Sequence, residues 1–448
     1  MQRSNVGPFD VISPPGETPR LYVGRDARRC SGCGLAALGI SWTLKPIHSM
    51  KVFDRRYEMM PRAELEQLQL ERLQALVVRL KRNVRRARER IGDTRVESLA
   101  DLARLPFTTP EDMAASFPYG MFAFPMREII RVHTTVGPQG KPLVIGHTRN
   151  DLAQWGGLVA RQLVASGVTA NDVIQMCFGG GVYGAAGYLF GAQVVEASVI
   201  AEDPSHADYQ IAMLQNYRPT VLITTPTNAL ELMQAMEQRR LDPQSLHVRT
   251  VLLSRPVDQE TRGRLAAGLF ARVQCNFGLS EVFDPGLCVE CEAGHFHMQE
   301  DHLLAETQDG ELVLTTLCRE ALPLLRYRTR VRCELSRDKC PCGRVGAVIL
   351  PGERLDHRLR VNETPLYEGQ IAEVLAQTKA AGQPFTVTVS ERHIIVSIEI
   401  SDDLFADTVE FIESLKRGIE SEFLVRLGIE AVVRFVAPRS RAGTETGV

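Results

Sequence analysis

The chain has 448 residues, 44% of them hydrophobic and 24% charged, a balance suited to a soluble globular protein with a large core and room for a second domain. Its formal net charge of −2 excludes the basic footprint of a nucleic-acid binder. There is no apolar run of bilayer length and no charged-then-apolar leader, so no membrane association and a cytoplasmic location are expected. Ten cysteines in such a chain read as free thiols or metal ligands rather than disulfides.

Residues 1–49 lack sustained periodicity and are expected to form an N-terminal extension. They contain Cys30-Ser31-Gly32-Cys33, a zinc or redox spacing that stands without a second pair nearby. After Met60 the pattern turns helical: Leu65, Leu68, Leu73, Leu76, Val77 and Leu80 recur at three- and four-residue steps, and an arginine-rich continuation runs to Arg90 as a solvated helix face. Glu128–Val132 reads as a strand that leads into Thr135-Val136-Gly137-Pro138-Gln139-Gly140-Lys141-Pro142, a glycine loop with a lysine able to wrap phosphates but without Walker A spacing. A helix follows over Asn150–Ala165. Short apolar strands at Asp172–Phe178, Val221–Thr227 and Thr250–Ser254 then alternate with helix starts. That alternation predicts an α/β fold with a largely parallel sheet and a ligand beyond the carboxyl ends of its strands, where Gly137, Gly179, Thr225 and Phe277 are expected. Past Gly352 the chain reads as a separate small α+β unit, with helices near Tyr367–Gln377 and Leu404–Phe423 and strands at Phe385–Ser390, His393–Ile400 and Ala431–Val436. The expected domains are 50–352 and 353–448.

The stretch from Cys275 to Gly346 is the richest in acids, thiols and imidazoles. It contains Phe277-Gly278-Leu279-Ser280-Glu281, Gln299-Glu300-Asp301-His302, Gly310–Leu317, Ala321–Arg330 and Cys340-Pro341-Cys342-Gly343-Arg344. With Leu105–Thr109 and the opening helix, these motifs resemble the phenylacetate–coenzyme A ligase family of adenylate-forming enzymes, over residues 50 to about 440. The resemblance implies a large multi-sheet N-terminal domain and a small mobile C-terminal one. It also implies a two-step reaction: a small carboxylic acid, aryl or similar, attacks the α-phosphorus of ATP, and coenzyme A then displaces AMP to give a thioester. Family members often dimerise, so a homodimer is a further expectation. The resemblance assigns Glu281 to Mg²⁺, and Thr135, Gly137, Gly140 and Lys141 to the pyrophosphate. Phe277, Gly278, Leu279 and Ser280 would line the adenine and acyl site, and Arg354 would contact the nucleotide. Tyr183, Phe178 and Phe190 are candidates for shaping the acid pocket.

The chain also departs from the family pattern. Val136 and Pro138 replace hydroxyl-bearing residues of the phosphate loop, and Val331 stands where an aspartate grips the ribose. Only Asp356 remains of the paired hinge aspartates, and Ser440-Arg441-Ala442-Gly443 lacks the C-terminal lysine. Two other readings stay beside the ligase: a degenerate homologue that binds a ligand or partner, and an adenylating enzyme with a non-coenzyme A acceptor. Cys291, His297, Cys340 and Cys342 offer a tetrahedral structural zinc set, which the resemblance supports; Cys288 and His295 compete as ligands, and a cluster of buried thiols is the plain alternative. His302 is expected to pack, and Cys177, Cys275, Cys318 and Cys333 to be core thiols.

Overall fold

The leucine repeat after Met60 forms the helix Arg62–Asn83, which buries Leu65, Leu73, Leu76, Val77 and Leu80. The periodicity predicts one helix continuing to Arg90, but the chain breaks at Val84 (φ −114°, ψ 106°) and a second helix covers Arg85–Ile91. The break sends Val84 into the core at 1% exposure. It also turns Arg86 and Arg90 onto the carboxylate of Asp112, so part of the basic face is a fold contact rather than a solvated surface. This computed structural model describes residues 51–138, 141–178, 182–200, 206–356, 359–361, 364–390, 393–399 and 409–436. The Cys30/Cys33 pair, Gln139, Gly140, Gly179–Gly181, His357, Asn362, Glu363 and Ser440–Gly443 lie outside the described residues, as does the side chain of Tyr183.

Strands β1 (Arg131–Val136) and β2 (Pro142–His147) form an antiparallel hairpin, with Thr135 opposite Leu143 and Val136 opposite Pro142. The glycine loop is therefore a hairpin turn on its own small sheet and does not follow a strand of the parallel sheet. Its first strand begins at Arg131, after a single turn over Met126–Glu128.

The expected parallel sheet is present: β3 (Val173–Cys177), β4 (Ser198–Ile200), β5 (Val221–Thr224), β6 (Thr250–Leu253) and β7 (Arg272–Cys275), ordered β4-β3-β5-β6-β7. β5 and β6 are buried along their whole length, as continuous apolar runs between covering helices should be. The crossover helices start on side-chain caps: Thr225 accepts from the Asn228 amide just before Pro226, and Asp258 accepts from the Thr261 amide. Thr148 and Asp151 cap the helix Arg149–Ala165 reciprocally. The buried Asp151 carboxylate also takes the Glu320 and Ala321 amides at 2.8 and 2.9 Å, which ties that helix to the second sheet.

That second sheet is antiparallel and was not expected as such. β8 (Cys288–Glu290), β9 (Phe296–Met298), β10 (Leu303–Gln308), β11 (Glu311–Thr316), β12 (Tyr327–Ser336) and β13 (Val348–Arg354) are ordered β10-β11-β12-β13-β9-β8. Beyond it, β14 (Leu359–Val361) and β15 (Thr364–Leu366) make a small hairpin. Helices Glu368–Ala376 and Val409–Leu427 cover the three-stranded sheet of β16 (Phe385–Val389), β17 (His393–Glu399) and β18 (Glu430–Val436). This region holds its own buried cluster around Ile371, Val374, Ile394, Val396, Phe423 and Val433. Among the described residues no helix is long and apolar enough to cross a membrane.

Candidate functional site

Gly137 opens the hairpin turn because nothing larger fits: a Cβ there would stand 2.3 Å from the Lys141 carbonyl oxygen and 2.7 Å from Leu143 Cδ2. Lys141 leaves the turn exposed, with its amide on the Pro138 carbonyl at 3.3 Å. Strand β15 touches β1, so the C-terminal segment lies against the hairpin that carries this turn.

Opposite stands the turn after β7. Phe277 and Leu279 are buried, Leu279 bridges to Phe283, and Glu281 lies inside the turn at 5% exposure. Glu281 is thus not at a helix start. The turn is held from below by Arg319, which is 0% exposed. Its guanidinium donates to the carbonyls of Glu281 at 3.3 Å, Val282 at closer range and Gly146 of β2 at 3.1 Å, and its carbon lies 5.1 Å from the centroid of the Phe283 ring. One cation therefore joins the acid-bearing turn to the β1–β2 hairpin. Beside it, His147 Nδ1 accepts from Arg319 at 3.5 Å, and the imidazole stacks on Trp155 at 5.3 Å. Burial first, then Arg319, His133 and Arg131, push His147 down to about 2, so it is neutral at physiological pH. Sequence reasoning missed Arg319. It lies between two motifs beside Glu320, with no spacing that marks it, and only the structure shows it beneath a loop.

Arg354, at the end of β13, makes a paired bond to Asp356, with Nε–Oδ1 at 2.8 Å and Nη2–Oδ2 at 2.6 Å; Tyr367 donates to the same carboxylate at 2.9 Å. Burial opposes the charge of Arg354. The Asp356 hydrogen bond, and then the fields of Asp356, Glu281 and Tyr367, more than offset it and raise its pKa above the ordinary value. Glu281, 73 positions from Arg354 in sequence, is thus among the charges that favour the Arg354 cation. Ser280 is half-buried between Leu279 and Glu281.

The thiols form a second centre. Ligand atoms of Cys291, His297, Cys340 and Cys342 all lie within 4.8 Å of one another. Cys291 and Cys340 sulfurs are 3.9 Å apart, and His297 Nε2 is 3.3 Å from Cys342 Sγ. Donors about 2.0–2.3 Å from a tetrahedral zinc stand roughly 3.5–3.8 Å apart, so the set fits that ion. Nδ1 of His297 is engaged with the Gly346 carbonyl at 2.9 Å, which leaves Nε2 for a metal. The Cys342 thiol is pulled well down by the hydrogen bond from Cys291, then by His297 and the Arg344 amide, as a ligand thiolate requires. Cys288 faces away onto the Met298 sulfur at 3.4 Å, whereas exposed His295 reaches Cys340 Sγ at 3.3 Å from the rim.

Two motifs that looked chemical are buried joinery. Asp301 grips Arg161 through both oxygens, at 2.8 and 3.0 Å, with side-chain exposures of 2% and 6%. Glu300 takes Arg62 at 2.8 Å and the Ala347 amide at 2.8 Å. In the arginine run, Arg326 pairs with Glu306 and Arg328 with Glu311. His302 packs as expected, and burial lowers it to about 4 against the pull of Asp301. Cys177, Cys275 and Cys333 are buried and Cys318 is half-buried.

No protein-family model matches the chain. It is 32% identical over 412 residues to the phenylacetate-coenzyme A ligase of Thermus thermophilus, covering 87% of this chain and 91% of that one. The chain belongs to the phenylacetate–coenzyme A ligase family. The Aromatoleum evansii and Pseudomonas putida ligases of the same name are 31% and 30% identical and align over 84% and 80% of this chain. In fold it is similar to 2-hydroxyisobutyryl-CoA ligase, with a TM-score of 0.79 at 22% identity over 90% of this chain and 92% of that one. The amide bond synthetase McbA of Marinactinospora thermotolerans reaches a TM-score of 0.52 at 15% identity, over 71% of this chain and 67% of that one. The adenylate-forming fold is therefore present. At the family's ribose-aspartate position, Val331 is 3% exposed and packs in the main core opposite Arg354.

Proposed function

We propose that the chain is an AMP-forming acid–coenzyme A ligase that activates phenylacetate or a similar small acid with ATP. The observation that carries this reading is the Arg319 tie, which holds the Glu281 turn against the hairpin of the glycine loop. Phosphoryl transfer needs positioning and charge neutralisation more than covalent help. In this reading the Gly137–Lys141 turn embraces the pyrophosphate and Lys141 adds charge to it. Glu281 would hold Mg²⁺, which neutralises the phosphates, and Arg354 orients the nucleotide. Phe277, Gly278, Leu279 and Ser280 form the wall between adenine and acyl group. Residues 50–352 and 353–448 act as large and small domains. The better superposition on 2-hydroxyisobutyryl-CoA ligase in its thioesterification state (TM-score 0.79) than in its open form (0.63) supports an arrangement suited to the coenzyme A step. The Cys291, His297, Cys340, Cys342 set would hold a structural zinc, since four protein ligands leave no open position for substrate.

Pyrophosphate release from ATP·Mg²⁺ with an acid panel, with and without coenzyme A, tests the reading. Release that depends on an acid, with a thioester formed when coenzyme A is added, is expected. Silence from a folded protein would favour a binding homologue, and release without a thioester would favour another acceptor. Glu281→Gln should lower kcat on the order of 10²-fold, by the scale of one lost preorganised electrostatic contact.

A further inference from the structure

The helix Val182–Val195 contains no charged residue. A helix without a charged side is one that the folded protein covers all round. Within this chain it is covered on one side only. A Cβ at Gly187 or Gly191 would lie 2.6 Å from Trp155 or 2.5 Å from Val159, so the helix rests directly on Arg149–Ala165. Its outer side is open: Leu189 is 39% and Val194 42% exposed. A shallow surface groove of roughly 460 Å³ runs between the two helices, lined by Leu152, Ala153, Gly156, Phe190, Gln193 and Val194. No lining residue is charged. The Phe190 ring is held edge-on by buried Trp155 at 5.7 Å and flanked by Arg131 at 5.1 Å. Gly157 is a second sign. It stands one turn beyond Ala153 on the same helix face, and a Cβ there would meet nothing within 4 Å. Glycine inside a helix is destabilising relative to alanine, and no neighbour within the chain requires this one. A second helix crossing at short range would require it, because the side chains at the contact set that distance.

Charge at the two ends of this face says what covers it. The helices run parallel, since Trp155 and Val159 meet Gly187 and Gly191 in the same order. Arg149 opens the first helix and shares the face of Ala153 and Gly157 at four-residue steps. Glu196, exposed, follows the last turn of the second. Among the described residues neither has an ion-pair partner. A twofold axis normal to the helices reverses their direction, so Arg149 of each copy meets the partner's Glu196. An uncharged face with opposite charges at its two ends is thus complementary to itself. We propose that the outer face of the helices Arg149–Ala165 and Val182–Val195 is the interface of a twofold homodimer. Ala153 and Gly157 let the facing helices approach, and apolar side chains of each copy cover the groove of the other. The inference does not rest on the ligase reading.

Sedimentation equilibrium of the full chain at micromolar concentration tests it. Wild type should run at twice the 49.8 kDa chain mass. Gly157→Leu and Val194→Asp should each give monomer with an unchanged circular dichroism spectrum. Gly157→Leu fills space that is open within the chain, so it separates loss of the dimer from loss of the fold. Glu196→Arg sets like charges against each other at both ends of the interface and should raise the dimer dissociation constant about tenfold or more. Adding Arg149→Glu to it restores opposite charges and should recover most of the loss. A monomeric wild type overturns the inference, and it does so equally if hydrogen exchange shows residues 1–49 covering the face. A dimer that survives both Gly157→Leu and Val194→Asp overturns it too, because the copies then meet elsewhere. Dimer loss in those two variants without recovery in the charge-exchanged pair keeps the face and overturns the twofold register.

Discussion

At the scale of single residues, position within the fold decides what a charged side chain does. Arg319 and Arg326 are both buried, but only Arg326 lies within a motif legible in the sequence. Arg326 meets a carboxylate, whereas Arg319 meets carbonyls of the Glu281 turn and of β2. Arg319→Met should keep the fold yet lower kcat on the order of 10–100-fold, because a small misplacement of a reacting group is enough for such a loss. Arg319→Lys should recover part of it, and an unchanged kcat in the Met variant would show that the turn needs no support. The motif glycines and Glu281 were legible in the sequence because their spacing is local. Arg319 was not, because its meaning depends on which loop lies across from it.

At the scale of elements, the parallel strands were readable because each is an apolar run bounded by turn residues, and both faces are covered. The β1–β2 hairpin was misassigned for a physical reason: a strand followed by a glycine turn looks the same whether the next strand returns antiparallel or a helix begins. The antiparallel sheet was hidden because β11 is buried along its length and lacks polar–apolar alternation. The thiol centre belongs to this scale, since the turn after β8 brings Cys291, β9 brings His297, and the connection between β12 and β13 brings Cys340 and Cys342. We expect about one zinc per chain by elemental analysis and a lower melting temperature after chelation. Cys342→Ser should reproduce the loss, and a metal-free protein that melts at the same temperature would argue for a plain thiol cluster. The buried imidazoles predict an acid limb of stability. His302 has an ordinary unfolded value near 6.5 and is lowered to about 4 in the fold. Its contribution is therefore complete above about pH 6.5 and is lost as pH falls toward 4, at up to roughly 1.4 kcal/mol per pH unit per imidazole. Urea unfolding at pH 7, 6 and 5 should show that slope, and His302→Gln should flatten it.

At the scale of the whole molecule, buried ion pairs join segments that are far apart in sequence. Arg161 and Asp301 couple the helix Arg149–Ala165 to the second sheet. Arg161→Met would leave Asp301 without its countercharge and should cost about 3–5 kcal/mol in denaturant unfolding, against about 0–1 kcal/mol for an exposed pair such as Arg426–Glu422. The amino-terminal segment is fastened in the same way. Arg344, whose amide supports Cys342, closes on Glu58 at 3.3 Å and also takes the Lys51 carbonyl, across 286 positions for the first pair. A ribosome that adds 5–20 residues per second reaches Arg344 about 15–60 s after Glu58 is made. For most of that interval the segment from Lys51 to Glu58 has left the tunnel and still lacks its Arg344 partner. Docking of that segment is thus ordered from the far end of the message backward, and a nascent chain stalled short of residue 344 should be cut by protease between residues 51 and 58 where the finished chain resists.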